Sequence, residues 1–549
     1  MSQKQYFYAD YQINEIIMKL IQPIYIAAFA LLTCSSINAQ QKKESFNVKK
    51  SALTEVQKQR WSDLDLSKDS IPGMSVDKAY AEFLKGKKGT KIIVGVIDSG
   101  LDIDHEDLKG KIWTNTKEIP GNNIDDDHNG FVDDVHGWNF LGETTNENLE
   151  LTRIVKKGDD GSETYKKAKA ELDKKIAEMM QYKPQMDMIA KADKDIKANL
   201  NKEVYSIEDI KSITTTDSSL NRSKMIMMSV ASQIGADFQD ELKGEMDQVY
   251  NMLNNNLNVN FDGRKVGDNP DDMKETHYGN GNVKGPNVED ALHGTHVAGI
   301  IAQIRGNGKG GDGVVNDNVE IMSVRAVPNG DEYDKDIALA IRYAVDNGAK
   351  VINGSFGKDY SPHKEWVWEA IKYAAKKDVL IVHAAGNDSK NIDTEPNFPT
   401  DVSNDKEIAD NVITIGALNN VYGSKIVADF SNYGTKNVDV FAPGVKIYAT
   451  VPNNKYKYEQ GTSMASPNAA GVAALVRSYY PNLSASQVKH ILMDSGTPIN
   501  ETVIVDETKK EVPFASTCVS GKIVNAYNAL LMADKMSKGT KKIKKICKK

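Results

Sequence analysis

Cysteine is nearly absent from this chain: Cys34, Cys518 and Cys547 are the three in 549 residues. That excludes a disulfide-stapled scaffold, and a chain of this length does not need one to close a core. An excess of one charge sign is also missing. The formal net charge of −7 gives no overall field to draw a phosphate backbone, which argues against nucleic acid as a partner. There is no internal repeat, and beyond the first 39 residues no apolar run is long enough to span a bilayer. What is present is 40 % hydrophobic and 26 % charged, the composition of a soluble globular protein. The length suggests one large domain plus an insertion or second domain.

The stretch "MKLIQPIYIAAFALLTCSSINAQ" carries a basic residue, an apolar segment and a small residue, Ala39, in the order of an export signal over residues 18–39. Residues 1–17 are polar and unsuited to a signal, so translation is expected to begin at Met18. A rival processing would cut before Cys34 and lipidate it, the one route by which the protein would sit on a membrane. Thr33 fits that cut poorly. Residues 40–60 read as a polar, Lys-rich linker and residues 531–549 as a basic, solvated tail.

"KIIVGVIDSG" is a continuous apolar, β-branched run that ends at Asp98, as a strand buried on both faces would. The pattern recurs in "NVEIMSVRAV", "AKVINGSFG", "DVLIVHAAGN" and "NVITIGAL", with helical stretches such as "DIALAIRYAVDNGA" and "HKEWVWEAIKYAAKKD" between them. Strand and helix in alternation predict an α/β fold, a parallel sheet with helices on both faces. Two blocks, 61–145 and 285–530, carry this pattern. Between them, residues 146–284 are richer in charge and Met, with apolar residues such as Leu172, Ile176 and Met179 at helical spacing and Ser162 placed to cap a helix. This segment is expected to be a mainly helical insertion. It lies in sequence between Asp98 and His293, so both its ends return toward the same end of the sheet, where it can overhang a cleft.

Three separated segments set a reactive side chain beside glycines: "VIDSG" with Asp98, "HGTHVAGI" with His293, and "GTSMASPNAAGVAALV" with Ser463. Serine is a weak nucleophile unless an imidazole takes its proton and a carboxylate fixes the imidazole's tautomer. Singly, each has a plainer reading: a capping Asp, a satisfied core His, an N-cap Ser. A metal site at His293 and His296 would need a third ligand that the spacing does not supply. Jointly the three residues favour nucleophilic catalysis.

The order Asp, His, Ser within these blocks resembles the subtilisin-like serine peptidases, over about residues 60–145 and 285–530. The resemblance implies a subtilisin-like three-layer fold and an endopeptidase working through an acyl-enzyme intermediate. In it Asp98 would orient the imidazole, His293 would act as base and then acid, and Ser463 would attack the scissile carbonyl. "AAGND" is similar to the family's oxyanion segment, so Asn387 would donate its amide to the developing oxyanion with the backbone N–H of Ser463. "NGSFG" resembles the edge on which an extended substrate lies, so Ser355, Phe356 and Gly357, with Ala385 and Gly386, would frame a small, apolar pocket. Two departures stand out. Asn468 occupies a position where the family usually has His, and the stretch from Gln40 to about residue 75 is too short for the usual folded propeptide.

"DDDHNGFVDD" alternates Asp125, Asp127 and Asn129, turns at Gly130 and adds Asp133, a pattern that directs oxygens to one centre as Ca²⁺ requires. The twelfth position is His136 rather than the Glu of an EF-hand, so the loop is EF-like only, and an acidic surface turn is the alternative. The expected partners are polypeptide substrates, and the expected state is an exported monomer with structural calcium. The rivals are an inactive subtilisin-like peptide-binding module and an esterase, whose "GxSxG" elbow "GTSMA" does not match.

Overall fold

The structure, a computed structural model, describes residues 46–546 except 236, 237, 396 and 507, and leaves undescribed the side chains of 240 and 539–546. The export signal, Cys34 and Cys547 therefore lie outside the described residues. The chain divides into two compact units, one formed by residues 46–145 and 264–546, the other by residues 146–263.

The first unit is built on a nine-stranded sheet. Its strand order is Gly137–Asn139, Val319–Arg325, Ile92–Asp98, Val351–Gly354, Leu380–Ala384, Val412–Leu418, Val440–Pro443, Lys522–Ile523 and Thr497–Pro498. All neighbours are parallel except the last pair. The five apolar runs noted above are five adjacent strands of this sheet, the second to the sixth in that order. After Ile92–Asp98 the chain adds a strand on one side, Val319–Arg325, and then crosses to the other, Val351–Gly354. In open α/β sheets such a reversal is where a crevice forms at the carboxyl ends of the strands, and Asp98 ends the strand at that point.

Alternation along a strand separates the layers. A Cβ on Gly95 would lie 3.0 Å from Ala344 Cβ in the helix Asp334–Asp346, whereas Asp98 Cβ faces Gly294 in the helix Leu292–Ala302. Helices Asp334–Asp346 and Lys364–Lys376 pack on the first face around Ile97, Ile352 and Ile381. Helix Thr462–Tyr479 lies on the second, where Ser466 Oγ donates to Asn353 Oδ1 at 2.8 Å. Each fully buried Ile or Val contributes about 1.5–3 kcal/mol, which is why runs of them dictate this layering.

Three boundaries differ from the sequence expectation. Residues 264–284, assigned above to the insertion, belong to the sheet-bearing unit. Their Asn/Asp/Gly composition conceals an ionic knot: Arg264 grips Asp336 with two bonds of 2.9 Å and Asp268 with one of 2.7 Å, and Lys335 reaches Asp268 at 2.7 Å. Tyr278 donates its hydroxyl to Asp336 as well. The supposed linker contains a capped helix, Glu55–Arg60, and seats Phe46 and Leu53 against the core. From Trp61 onward the segment is integral, since Trp61 is buried and its Nε1 donates to Val445 O at 3.0 Å. Finally, helix Ala526–Ile546 runs on into the basic tail.

The second unit is helical. Its longest helix, Glu163–Leu200, starts at Ser162, whose Oγ accepts from Tyr165 N at 3.0 Å. Met186, Ile189 and Ile196 of this helix meet Ile210, Met227, Phe238 and Leu242 in a core of their own. The methionines divide between core and surface: Met179, Met186 and Met227 are buried, while Met180, Met188 and Met225 are exposed. Among the described residues no helix is long and apolar enough to cross a membrane.

Candidate active site

Asp98 ends its strand almost fully buried, and its Oδ1 accepts two hydrogen bonds, from Ser99 N and from His293 Nδ1, both at 2.7 Å. The glycines around His293 have a steric cause. A Cβ on Gly294 would come within 2.0 Å of Gly100 O, so only glycine lets the helix start abut the turn that follows Asp98. His296, one helical turn on, is structural. Its Nε2 donates to Ile447 O and Lys457 O, both at 3.1 Å, fastening the hairpin of Ile447–Val451 and Lys455–Glu459 to the helix. Its Nδ1 is buried without a partner, and burial pushes the imidazole down to about 4.

Ser463 is the second residue of helix Thr462–Tyr479, where backbone N–H groups have no intrahelical acceptor. Its hydroxyl donates to Ser355 O at 3.2 Å. Pro467, four residues on, cannot donate to Ser463 O, and Ser355 Oγ supplies that bond instead at 2.8 Å. Ser355 is in turn held by Asn353 Nδ2 at 2.9 Å. Asn468 fills its site without strain, donating to Pro443 O at 2.9 Å.

Asn387 is locked by its carboxamide oxygen, which accepts from Thr462 N and Thr462 Oγ1, both at 2.8 Å. Its Nδ2 is thereby turned away, toward Gly461. A Cβ built on Gly461, whose φ is +148°, would lie 3.3 Å from Asn387 Nδ2 and 3.5 Å from Ser463 N. Two donors flank one small space that any side chain at 461 would fill. Thr462 and Gly461 are thus members of the site that sequence reasoning missed; the signal for them was the "GT" preceding Ser463.

The expected substrate segments border this centre with their side chains turned inward. Ser355 Oγ is consumed by Ser463 O, and Phe356 packs in the core against the His383 ring, with centroids 6.0 Å apart. Ala385 is likewise buried, and Gly386 N donates to Thr462 Oγ1 at 3.0 Å. Any recognition there would pass through main chain.

The acidic loop is arranged differently from the expectation. Carboxylate oxygens of Asp125, Asp127 and Glu118 gather within 4.8 Å of one another. Asn129 Oδ1 instead accepts from Phe131 N, and Asp133 from Gly121 N and Asn123 N, each at 2.8 Å. Asp133 adopts a left-handed φ of +55°, and its carboxylate serves the 121–123 turn. Glu118 went unseen in sequence because it lies seven residues before the alternating motif.

The subtilase family profile matches residues 89–514, most of the chain. A thermophilic serine proteinase of Bacillus sp. (strain AK1) is 39 % identical over 239 residues, 43 % of this chain and 52 % of that protein. Subtilisin DY of Bacillus licheniformis is 36 % identical over 218 residues, 39 % of this chain and 74 % of that one. The cell wall-associated protease of Bacillus subtilis (strain 168) is 37 % identical over 214 residues, 39 % of this chain and 22 % of that one. The chain thus spans about half of the thermophilic proteinase and about a fifth of the cell wall-associated one. With a family match over most of its length and a largely parallel sheet covered by helices on both faces, the chain belongs to the subtilase family.

Proposed function

We propose that the protein is an exported serine endopeptidase that hydrolyses polypeptides through Asp98, His293 and Ser463. The observation that carries this reading is the convergence at one sheet end of the Asp98–His293 bond, the Ser463 helix start, and the paired donors Asn387 Nδ2 and Ser463 N around Gly461. In the cycle, the Ser463 hydroxyl leaves Ser355 O by rotation about its Cα–Cβ bond and passes its proton to His293 Nε2 as Oγ attacks the scissile carbonyl. Asp98 stabilises the imidazolium, and the two donors at Gly461 receive the oxyanion. His293 then protonates the leaving amine, and water, activated by the same imidazole, releases the acyl group from Ser463. An extended substrate would lie along the main chain of 355–357, so backbone recognition sets affinity and side-chain selectivity is broad.

Glu118, Asp125 and Asp127 offer the hard oxygen donors that Ca²⁺ takes, and would hold it as a structural pin on the 115–134 loop. Stripping calcium should lower Tm, and the Glu118→Gln variant should lose that response; an unchanged Tm on chelation returns the loop to a plain acidic turn. The catalytic reading is tested by casein zymography beside fluorophosphonate labelling. Wild type should clear casein and label, and Ser463→Ala should do neither. A folded wild type that neither clears nor labels would mark an inactive peptide-binding module.

A further inference from the structure

Arg325 ends the strand Val319–Arg325, in register with Asp98 on one side and Asn139 on the other, and is 2 % exposed. Its guanidinium makes four hydrogen bonds, all to neutral oxygens. Nε donates to Ser99 O at 3.1 Å, Nη1 to Asn139 Oδ1 at 3.0 Å and Gly142 O at 3.1 Å, and Nη2 to Thr144 O at 2.6 Å. Among the described residues no carboxylate pairs with it, and burial pulls the group down to about 10, against the weaker pull of Asp290 and Glu143. A buried cation answered only by neutral oxygens is a costly choice for stability. Apolar residues would hold a strand end more cheaply, so the reason for this one lies in what it touches.

Two glycines make room for it. A Cβ on Gly100 would lie 3.3 Å from Arg325 Cδ, and one on Gly285 would lie 2.7 Å from Nε; both glycines have left-handed φ, +115° and +78°. One side chain therefore packs on the turn after Asp98 and on the stretch leading to His293. It also bonds the stretch 139–144 that precedes residues 146–263. The link to Asp98 runs through one residue. Ser99 N donates to Asp98 Oδ1, the same oxygen that His293 uses, while Ser99 O is held by Arg325 Nε.

We infer that Arg325 is a positioning residue: by holding Ser99 from its carbonyl side, it fixes the peptide N–H that aims the Asp98 carboxylate at His293 Nδ1. The inference rests on the serine-peptidase reading for its catalytic consequence, but its structural content is independent of activity. Lysine cannot replace the fork, because one ammonium, with three donors on a single nitrogen, cannot reach four acceptors spread over two segments.

The test uses the full chain and the Arg325→Lys variant, which keeps the charge. The first readout is the low-field proton resonance of His293 Nδ1–H, assigned by its loss in His293→Ala; Arg325→Lys should shift or abolish it. The second is the pH profile. A loosened Asp98–His293 bond favours neutral imidazole, so the acidic limb of kcat/KM should move to lower pH, and kcat should fall about tenfold or more at unchanged KM. Arg264→Lys is the control: it is buried in the same unit but tied to Asp268 and Asp336, so it should lower the urea midpoint and leave both readouts in place. Should Arg325→Lys fail to fold, Gly285→Ala displaces the guanidinium without removing it and is read the same way. A folded variant with resonance and limb unmoved overturns the inference. A wild type that has the resonance but cleaves no peptide overturns the peptidase reading instead, and the resonance in Arg325→Lys still decides the role of Arg325.

Discussion

The two units use charge in opposite ways. In residues 146–263, apart from the buried Glu150–Arg153 pair near its start, the helices carry i,i+4 pairs on their surfaces, Lys169–Asp173, Lys183–Asp187, Lys191–Asp195 and Lys243–Asp247, all at least partly exposed. Such pairs contribute about 0.3–0.5 kcal/mol each, and the unit is held instead by its Ile/Met/Phe core. In the sheet-bearing unit, several charged groups are buried and tied to one another or to carbonyl-type oxygens: Arg264 with Asp336 and Asp268, Lys335 with Asp268, Arg325 with four oxygens, His293 with Asp98. Removing one partner of a buried ion pair costs about 3–5 kcal/mol, so these bonds tolerate little change. Where charge is solvated it tunes solubility, and where it is buried it sets directions. The second use is found in the unit that carries the candidate chemistry.

The comparison is sharpened most by Ser463→Ala. Loss of the nucleophile should lower kcat by about 10⁶ while the unfolding free energy from urea titration stays within about 0.5 kcal/mol of wild type, since Ala fits the same helix start. Hydrolysis of a chromogenic peptide, normalised to fluorophosphonate-labelled protein in the parent, measures it. No single substitution in 146–263 should approach that effect. Asn387→Ala comes next. Its Nδ2 would meet charge that exists only in the transition state, so kcat should fall about 10²–10³ with KM nearly constant, a magnitude taken from a subtilisin. A change confined to KM would assign Asn387 to substrate binding.

The contrast also explains what could be read in the chain. Five adjacent strands of the sheet are legible because parallel strands buried on both faces must be continuous apolar runs. Gly137–Asn139 and Thr497–Pro498 were not, being too short to carry a period. Asp98 at a strand end and Ser463 after "GT" could be placed from spacing, as could the contact of Asp98 with His293 through the resemblance. Residues 264–284 could not, because the bonds that draw them into the sheet unit join Arg264 and Tyr278 to Asp336, some 60 to 70 positions away, and composition is blind to partners at that distance. Glu118 was hidden for the same reason at shorter range. Arg325 gave no signal at all: one arginine ending an apolar strand looks like a strand terminus.

His296 gives a pH-dependent way to sharpen the comparison. Its folded-state value is lowered to about 4 from the model-peptide value of 6.5, so across that window the unfolded chain binds the extra proton and the folded one does not. Stability from His296 is therefore present above about pH 6.5 and lost as pH falls toward 4, on the order of 3 kcal/mol in all. Burial raises Asp63 and Asp401 to about 7 and Asp439 to about 6, and these carboxyls act with the opposite sign, gaining stability as pH falls through the same range. The difference between wild type and His296→Gln isolates the histidine. Measured by urea unfolding in the Ser463→Ala background, the advantage of wild type at pH 7.5 should shrink steadily to pH 4.5. A difference that stays constant with pH would mean that His296 does not stay neutral in the fold.

The smallest expected effect is the most direct attempt to break the comparison: removal of residues 146–263 altogether. The flanks of this segment already meet, because Lys265 N donates to Thr144 Oγ1 at 2.8 Å, so a linker of a few residues can join 145 to 264 without pulling on either. Loop-closure cost changes by only about 0.6 kcal/mol per doubling of length, and a shorter loop lowers it. The removed segment takes its own core with it, and the bonds that hold the 264–284 stretch, from Arg264 to Asp336 and from Tyr278 to Asp336, all remain. Arg325 keeps all four acceptors, since Ser99, Asn139, Gly142 and Thr144 are retained. The shortened protein should therefore fold, label with fluorophosphonate and cleave small chromogenic peptides at close to the parental rate. Cleavage of whole proteins is measured beside it, and a larger change there than with small peptides would give residues 146–263 a part in handling large substrates. If the shortened protein folds and labels poorly, with small-peptide cleavage lost, then residues 146–263 help to hold Asp98 or His293 in place, and the division between a chemical unit and a dispensable one is wrong.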